Sequence, residues 1–205
     1  MTRPFVVAVS GISGSGKSSV IRRTMELLGD AASMAFDDYA SVSTYPENLK
    51  EWLAQGADVD AFKTPRLAAD LRALRSGASV SLQEDRGDVC PAAVILLEEP
   101  FGRMRREMAP LIDFAAHLDV PADVLLARRL LRRLGEERHL GDALYDRLDR
   151  DLRQHLTAGR ELDARGTAAI AAAADVILDG TKSVDEIAES LAGHIRARAS
   201  RTRDP

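Results

Sequence analysis

Residues 11–18 read Gly-Ile-Ser-Gly-Ser-Gly-Lys-Ser, a spacing of glycines, lysine and serine that can hold a chain of phosphates. The glycines allow the backbone to wrap around phosphate oxygens with its N–H groups pointing inward. The side chain of Lys17 would reach the β- and γ-phosphates, and the Ser18 hydroxyl would bind Mg²⁺. The pattern predicts a site for a nucleoside triphosphate formed by Gly11, Ser13, Gly14, Ser15, Gly16, Lys17, Ser18 and Ser19.

The segments on either side of this loop have the character that such a site requires. Residues 5–9 are apolar and largely β-branched, which predicts a short buried strand. Residues 17–28 place apolar side chains on one helical face, and Gly29 is a typical helix end. A helix beginning at the loop adds the partial positive charge of its N-terminus to the phosphate site.

Strands and helices alternate along the rest of the chain. This alternation predicts an α/β fold with a central parallel sheet between two helical layers, and ligands at the carboxyl ends of the strands. We expect one domain over residues 1–205 with a frayed tail at 199–205. The predicted strands are 33–36, 80–82, 93–97 and 114–120, with a last strand at 176–178; the predicted helices are 47–55, 65–76, 122–134, a region at 142–174 interrupted by Gly159 and Gly166, and 183–198.

Acidic residues follow two of the predicted strands. Asp37 and Asp38 end the second strand, and Glu98 and Glu99 end the strand at 93–97. Phosphoryl transfer needs a group that accepts the proton of the attacking hydroxyl, and a metal site beside the γ-phosphate. Asp37 is a plausible base and Glu98 a plausible ligand of metal or water, and Asp38 is expected to point away from Asp37 by strand alternation. The alternative for each carboxylate is an exposed strand end or a helix cap.

Composition excludes several other classes of protein. The net charge of −4 and the pI near 5.6 argue against a general nucleic-acid surface. No apolar run approaches the ~18 residues of a membrane span, and the first residues lack the pattern of a secretory signal. The single Cys90 excludes an internal disulfide and fits a cytoplasmic protein. The four histidines are dispersed, and His117 is expected to be a satisfied core residue.

Six blocks of the chain resemble the uridine kinase group, which includes nicotinamide riboside kinase, pantothenate kinase and phosphoribulokinase as relatives. Members of this group transfer the γ-phosphate of ATP to a hydroxyl. The resemblance extends in order over about residues 5–195, and only its first block is specific by itself. The six blocks are residues 11–19, 36–39, 58–62, 94–98, 120–133 and 174–180.

The resemblance implies a three-layer P-loop fold with a helical lid at about residues 128–140, and it implies ATP and Mg²⁺ as cofactors. It matches Asp37 to the catalytic base and Glu98 to a residue that assists Mg²⁺. Arg129 and Arg132 would lie in the lid over the phosphates; the alternative is a solvated face on which these arginines pair with nearby acids.

The acceptor would be bound by the segment at about residues 38–63. Asp58 or Asp60 would match the acid that grips sugar hydroxyls, and the alignment leaves this choice open. Tyr39 and Trp52 are candidates for an acceptor pocket, although Trp52 could equally anchor its short helix.

Two departures from the group concern the nucleobase pocket. Residues 83–92 lack the Tyr and His that line this pocket in uridine kinases, and Glu99 stands where those enzymes carry Gly.

Taken together, the motifs predict an ATP-dependent kinase that acts on a hydroxyl of a nucleoside or a related sugar-containing metabolite. The alternative is a P-loop ATPase or nucleotide-binding switch without such an acceptor; a regulatory GTPase is disfavoured because no N-K-x-D motif is present. A homo-oligomer and a preference for GTP both stay open.

Overall fold

A five-stranded parallel sheet forms the centre of the computed structural model, which describes residues 3–82, 87–159 and 167–203. The strand order is β2-β5-β1-β6-β7, so β1 is central and the predicted strand at 93–97 lies beside it. The sheet strands are β1 (Phe5–Ser10), β2 (Ala31–Ala35), β5 (Val94–Glu98), β6 (Phe114–Asp119) and β7 (Val176–Asp179), and β3 (Val80–Ser81) pairs with β4 (Asp88–Val89) in a separate antiparallel ribbon.

Helices connect these strands and cover the sheet. They are α1 (Lys17–Leu28), α2 (Leu49–Ala54), α3 (Pro65–Arg75), α4 (Ala122–Glu136), α5 (Asp142–Gln154), α6 (residues 167–172 as described) and α7 (Val184–Arg203). Short 3₁₀ helices occupy Phe36–Val42, Val59–Ala61, Ala109–Leu111 and Arg138–Leu140, and a π-helical turn follows α5 at His155–Gly159. Among the described residues, no helix combines the length and the apolar character needed to cross a membrane.

The two faces of the sheet are packed into two separate hydrophobic cores. Val6 and Ala8 of β1 point into one core with the fully buried leucines of α3. Val7 and Val9 point into the other core with α1 and α7. Side chains alternate across a strand, so a strand covered on both faces is apolar throughout. The predicted three-layer α/β fold is confirmed.

Several local predictions are confirmed. Helix α1 has the predicted bounds. Helix α7 begins where the last helix was predicted, with a capping box formed by Ser183 and Glu186. Thr64 is the N-cap of α3, but its hydroxyl makes no cap bond and instead accepts a hydrogen bond from Arg105.

Other boundaries differ from the predictions. Strand β2 ends at Ala35, so Asp37 and Asp38 lie in a 3₁₀ helix and the argument from strand alternation is wrong for them. Helix α7 continues to Arg203, so the predicted end near Arg198 is also wrong. Helix α2 is shorter than the predicted 47–55. The interruption predicted at Gly166 lies outside the described residues.

Strand register brings distant residues together at the carboxyl edge of the sheet. Val9 of β1 lies opposite Glu98 of β5, and Ser10 lies opposite His117 of β6. Because the loop at 11–16 leaves β1 at this edge, both partners are placed beside it.

Candidate active site

The loop at residues 11–16 has the backbone that its glycines permit. Gly14 has a φ of 90°, and a Cβ built on it would lie 3.1 Å from Cγ of Arg129 and 3.3 Å from the carbonyl oxygen of Leu125. Gly16 also has a positive φ and forms the N-cap of α1. A larger residue at position 14 would be strained by its φ and crowded by α4. The loop therefore allows helix α4 to approach it closely.

Lys17, Ser18 and Glu98 meet at the start of α1. Ser18 Oγ donates a hydrogen bond of 2.8 Å to Glu98 Oε2. Lys17 Nζ lies 3.5 Å from Glu98 Oε1 and 3.4 Å from the carbonyl oxygen of Ile12. Mg²⁺ prefers oxygen ligands, often one or two from the protein, and a hydroxyl beside a carboxylate supplies this donor set. These residues fit the ion that the motif predicts.

Three arginines of α4 reach over the loop. Arg129 Nε donates a hydrogen bond of 2.8 Å to the carbonyl oxygen of Ser13, and Arg132 reaches Ser13 Oγ at 3.4 Å. Arg128 donates to the carbonyl oxygen of Ser15 at 3.4 Å. Their neighbour Arg133 instead pairs with acids at the start and the end of the following segment, Glu137 and Asp151. The four arginines of α4 are thus divided: Arg128, Arg129 and Arg132 contact the loop, and Arg133 pairs with acids outside it.

A cavity of about 1060 Å³ opens beside the loop. One part of its wall is polar and includes Lys17, Ser18 and Glu98, with Arg128 and Arg132 from α4. Another part is formed by a group that we call the aromatic wall: Phe36, Trp52, Phe62, Phe101 and Met104.

The rings of the aromatic wall contact one another. Phe62 lies 4.8 Å from Phe101 and 5.3 Å from Trp52, measured between ring centroids. Phe36 lies 5.9 Å from Phe101 in an edge-to-face arrangement. Aromatic pairs at such separations stabilise one another beyond simple burial. Trp52 therefore lines the cavity and also anchors its segment, donating from Nε1 to the carbonyl oxygen of Asp58 at 2.8 Å.

Asp37 lines the same cavity, in the first turn of the 3₁₀ helix that follows β2. Its side chain is exposed. Asp38 is not part of the cavity wall. The difference between the two acids comes from the 3₁₀ helix.

The structure places Tyr39 in the core, away from the cavity wall. It is 2% exposed, and its hydroxyl donates to Asp70 Oδ2 at 3.1 Å. Burial, with the charge of Asp70, raises the pKa of Tyr39. Tyr39 therefore anchors the 3₁₀ helix to the core.

The carboxylates of Asp58 and Asp60 form hydrogen bonds within the protein. Asp58 Oδ1 accepts a hydrogen bond of 3.0 Å from the backbone N–H of Asp60. Asp60 accepts a bond of 2.7 Å from the backbone N–H of Arg106, and its Oδ2 lies 2.6 Å from Arg106 Nε. Of this short segment, Val59 lines the cavity and neither acid does.

His117 is buried, as predicted for a core residue, and it also lines the cavity. It is 1% exposed, its Nδ1 lies 3.0 Å from Ser10 Oγ, and it lines the cavity. Its Nε2 is buried without a hydrogen-bond partner among the described residues, so the expectation of a fully satisfied histidine is wrong. Burial lowers the pKa of His117, and the nearby charge of Lys17 acts in the same direction. It lies opposite Ser10, the last residue of β1, so strand register and no local pattern brings it to the edge beside the loop.

No family model matches the chain. Among curated proteins, it is 35% identical over 144 residues to a uridine kinase of Deinococcus deserti, covering 63% of this chain and 69% of that protein. It is 25% identical over 198 residues to a uridine kinase of Macrococcus caseolyticus, covering 90% of this chain and 93% of that protein.

A solved structure shares the fold. It is a protein from Silicibacter sp. TM1040 named as a fructose transport system kinase, with a TM-score of 0.58, 20% identity, and coverage of 87% of this chain and 91% of that one. At this identity the likeness concerns the fold alone. The match to the Deinococcus protein carries the relationship, and the chain belongs to the uridine kinase family of phosphotransferases.

Proposed function

We propose that this protein transfers the γ-phosphate of ATP to a hydroxyl of a small molecule, a nucleoside or a related sugar-containing metabolite. The observation that carries this proposal is a single cavity with three parts. It joins the phosphate loop and its Ser18–Glu98 pair, the exposed carboxylate of Asp37, and an aromatic wall that leaves room for a second substrate. An enzyme that only hydrolyses ATP does not need the third part.

The polar residues around the phosphate loop have distinct tasks in this reaction. Lys17 neutralises charge on the β- and γ-phosphates, and Arg129 and Arg132 stabilise charge on the transferring group from the lid. Asp37 accepts the proton of the attacking hydroxyl. Mg²⁺ supplies a counter-charge to the phosphate oxygens when it is bound. Ser18 and Glu98 would hold this ion.

We also propose a division of the single domain. Residues 38–63 form the acceptor side, because Trp52, Val59 and Phe62 of this segment line the cavity. Residues 128–140 form the lid, since Arg128 and Arg132 reach over the loop. A kinase of this kind draws on the ATP of the cytoplasm, where we place the protein.

The nature of the acceptor is supported by the curated relatives. The proteins from Deinococcus and Macrococcus are named uridine kinases, which favours a nucleoside. Free sugars also belong in the test, because they offer the same kind of hydroxyl.

The test is release of ADP in the presence of ATP and Mg²⁺, measured alone and with a panel of uridine, cytidine, D-fructose and other small alcohols. We expect one compound to stimulate ADP release strongly and to be recovered as its phosphate. Lys17→Ala is the matched control for a contaminating kinase. Steady ADP release that no compound stimulates would instead support the alternative function, an ATPase without a small-molecule acceptor.

A further inference from the structure

Glu99 and Arg105 form a fully buried ion pair behind the aromatic wall. Both residues have 0% of their surface exposed. Arg105 Nε donates to Glu99 Oε1 at 3.2 Å, and Arg105 Nη2 donates to Glu99 Oε2 at 2.5 Å. Two parallel bonds of this kind fix the orientation of the guanidinium.

The pair also contacts residues of the aromatic wall, and Arg105 Nη1 donates a further hydrogen bond of 2.8 Å to Thr64 Oγ1. Arg105 Nη1 donates to the carbonyl oxygen of Phe62 at 2.9 Å. The guanidinium carbon lies 5.1 Å from the ring centroid of Phe36 and 5.8 Å from that of Phe101. The backbone N–H of Phe101 donates to Glu99 Oε1 at 3.3 Å.

Three segments that are far apart in the sequence are thereby held by one ion pair. Phe36 follows β2, Phe62 precedes α3, and Phe101 follows β5. The rigid guanidinium reaches all three, which a flexible ammonium could not do in the same geometry. One residue of each segment therefore lies in contact with the pair.

Among the described residues, the aromatic wall carries no charged side chain of its own. Among the described residues that line the cavity, Lys17, Arg128 and Arg132 are the cations, and all three lie at the phosphate loop. Arg105 lies behind the rings of Phe36 and Phe101, where Glu99 neutralises it. A carboxylate buried against this wall would find no uncompensated cation among the described residues there, and burying an unpaired charge is strongly unfavourable.

We propose that the Glu99–Arg105 pair is a specificity-determining element: it positions Phe36, Phe62 and Phe101 around the uncharged body of the acceptor and excludes acceptors that carry a carboxylate. This inference rests on the proposed kinase function. Glu99 and Arg105 act through the rings and the local charge.

The positioning part is tested with a double variant, Glu99→Leu with Arg105→Met. Replacing both members of a buried pair by apolar residues of similar size leaves stability largely intact, whereas removing one member strands a charge. We expect the melting temperature to stay close to that of the wild type, the KM for ATP to change less than about twofold, and the KM for uridine, or for the neutral acceptor that the panel identifies, to rise at least roughly tenfold. A double variant with the wild-type KM for that acceptor overturns the proposal.

The charge part is tested with Glu99→Gln, which keeps the shape of the side chain and removes its charge. The measurement is kcat/KM for D-gluconate, a polyol that carries a carboxylate, relative to kcat/KM for the neutral acceptor. We expect this ratio to rise at least roughly tenfold, because Arg105 is then uncompensated. An unchanged ratio in a folded variant overturns the proposal.

A matched control separates positioning from general loss of stability. Arg103 and Asp175 form another ion pair, at 2.5 Å, and neither residue lines the cavity. Asp175→Asn should lower the melting temperature without changing either KM. An equal rise of the KM for the acceptor in this control would overturn the positioning claim.

The outcomes distinguish this inference from the proposed function. If the wild-type protein phosphorylates no compound, the proposed function is wrong. If the wild-type protein is active and the variants have the same kinetics, only this inference is wrong.

Discussion

Ser18 Oγ donates a hydrogen bond of 2.8 Å to Glu98 Oε2 across a sequence separation of 80 residues. The two residues meet because β1 and β5 are parallel neighbours, with Val9 directly opposite Glu98. The loop that follows β1 then returns Ser18 to the end of β5. A hydroxyl and a carboxylate from separate segments thus form one oxygen-rich site.

Glu98→Gln should weaken the binding of Mg²⁺ at this site. The amide keeps the shape of the side chain but loses its charge, so the Mg²⁺ concentration for half-maximal rate should rise roughly 10–100-fold. The measurement is a Mg²⁺ titration at fixed ATP. Glu189→Gln, on an exposed position of α7, is the control. An unchanged titration in Glu98→Gln would remove Glu98 from the metal site.

Lys17→Ala should abolish turnover, because the β- and γ-phosphates lose their cation in the transition state. We expect kcat to fall at least about 10²-fold, with the far-UV circular dichroism spectrum unchanged. Lys182→Ala removes an exposed lysine elsewhere and should be neutral. Normal kcat in a folded Lys17→Ala variant would contradict the assignment of the phosphate loop.

Asp37→Asn should lower turnover by roughly 10²–10⁴, the usual contribution of a positioned base. ATP affinity should stay within a few-fold, because the loop and Ser18 are untouched. Asp38→Asn is the matched comparison and should have the smaller effect, since Asp38 is not part of the cavity wall. Calorimetry for ATP and steady-state rates would decide this. Full activity of Asp37→Asn, or failure of Asp38→Asn alone, would show that the base is misassigned.

Arg129→Ala and Arg132→Ala should each lower kcat by at least roughly tenfold, which corresponds to about 1.4 kcal/mol of transition-state stabilisation. Thermal stability should change little, because exposed arginines contribute about 0–1 kcal/mol through ion pairs. Arg153→Ala removes an arginine of α5 that pairs with Asp149 and should leave kcat unchanged. If the kinetics of both lid variants match those of the wild type, the solvated-face interpretation is correct.

His117 should make the fold sensitive to acid. Burial lowers the pKa of His117, so the folded protein keeps a neutral imidazole while the unfolded chain takes up a proton below about pH 6.5. The free energy of unfolding should therefore fall as the pH drops below that value, by at most about 1.4 kcal/mol per pH unit from this one group.

His117→Asn should reduce this pH dependence, because asparagine does not titrate and can still donate a hydrogen bond toward Ser10 Oγ. Urea unfolding between pH 5 and pH 8 would measure the slope. His194→Asn is the control, since His194 is exposed and stacks on Phe114. A His117→Asn variant with the full wild-type slope would contradict the prediction.

Much of the fold could be predicted because the responsible interactions are local. The apolar run of β1, the glycines of the loop and the apolar face of α1 lie within one stretch of chain, and the structure has the strand, the turn and the helix there. The capping box of α7 is local in the same way. Propensity and hydrogen bonding between near neighbours set such features.

The position of Asp37 depends on more than its local sequence. The sequence by itself determined that an acid follows the second strand, and strand alternation predicts that Asp37 and Asp38 point in opposite directions. The chain had already left the strand at Ala35, and it is the 3₁₀ helix over the buried Tyr39 that brings Asp37 into the cavity wall. Packing of the segment against the core decided the orientation.

The aromatic wall and the Glu99–Arg105 pair were decided by tertiary structure alone. Phe36, Phe62 and Phe101 are separated along the chain, and no periodicity relates them. They become neighbours because parallel strands place their carboxyl ends at one edge of the sheet, and strand order is set by the packing of whole layers. The sequence by itself determined the phosphate-binding chemistry of this protein, while the shape and the charge of the acceptor side depend on contacts between segments that meet only in the folded chain.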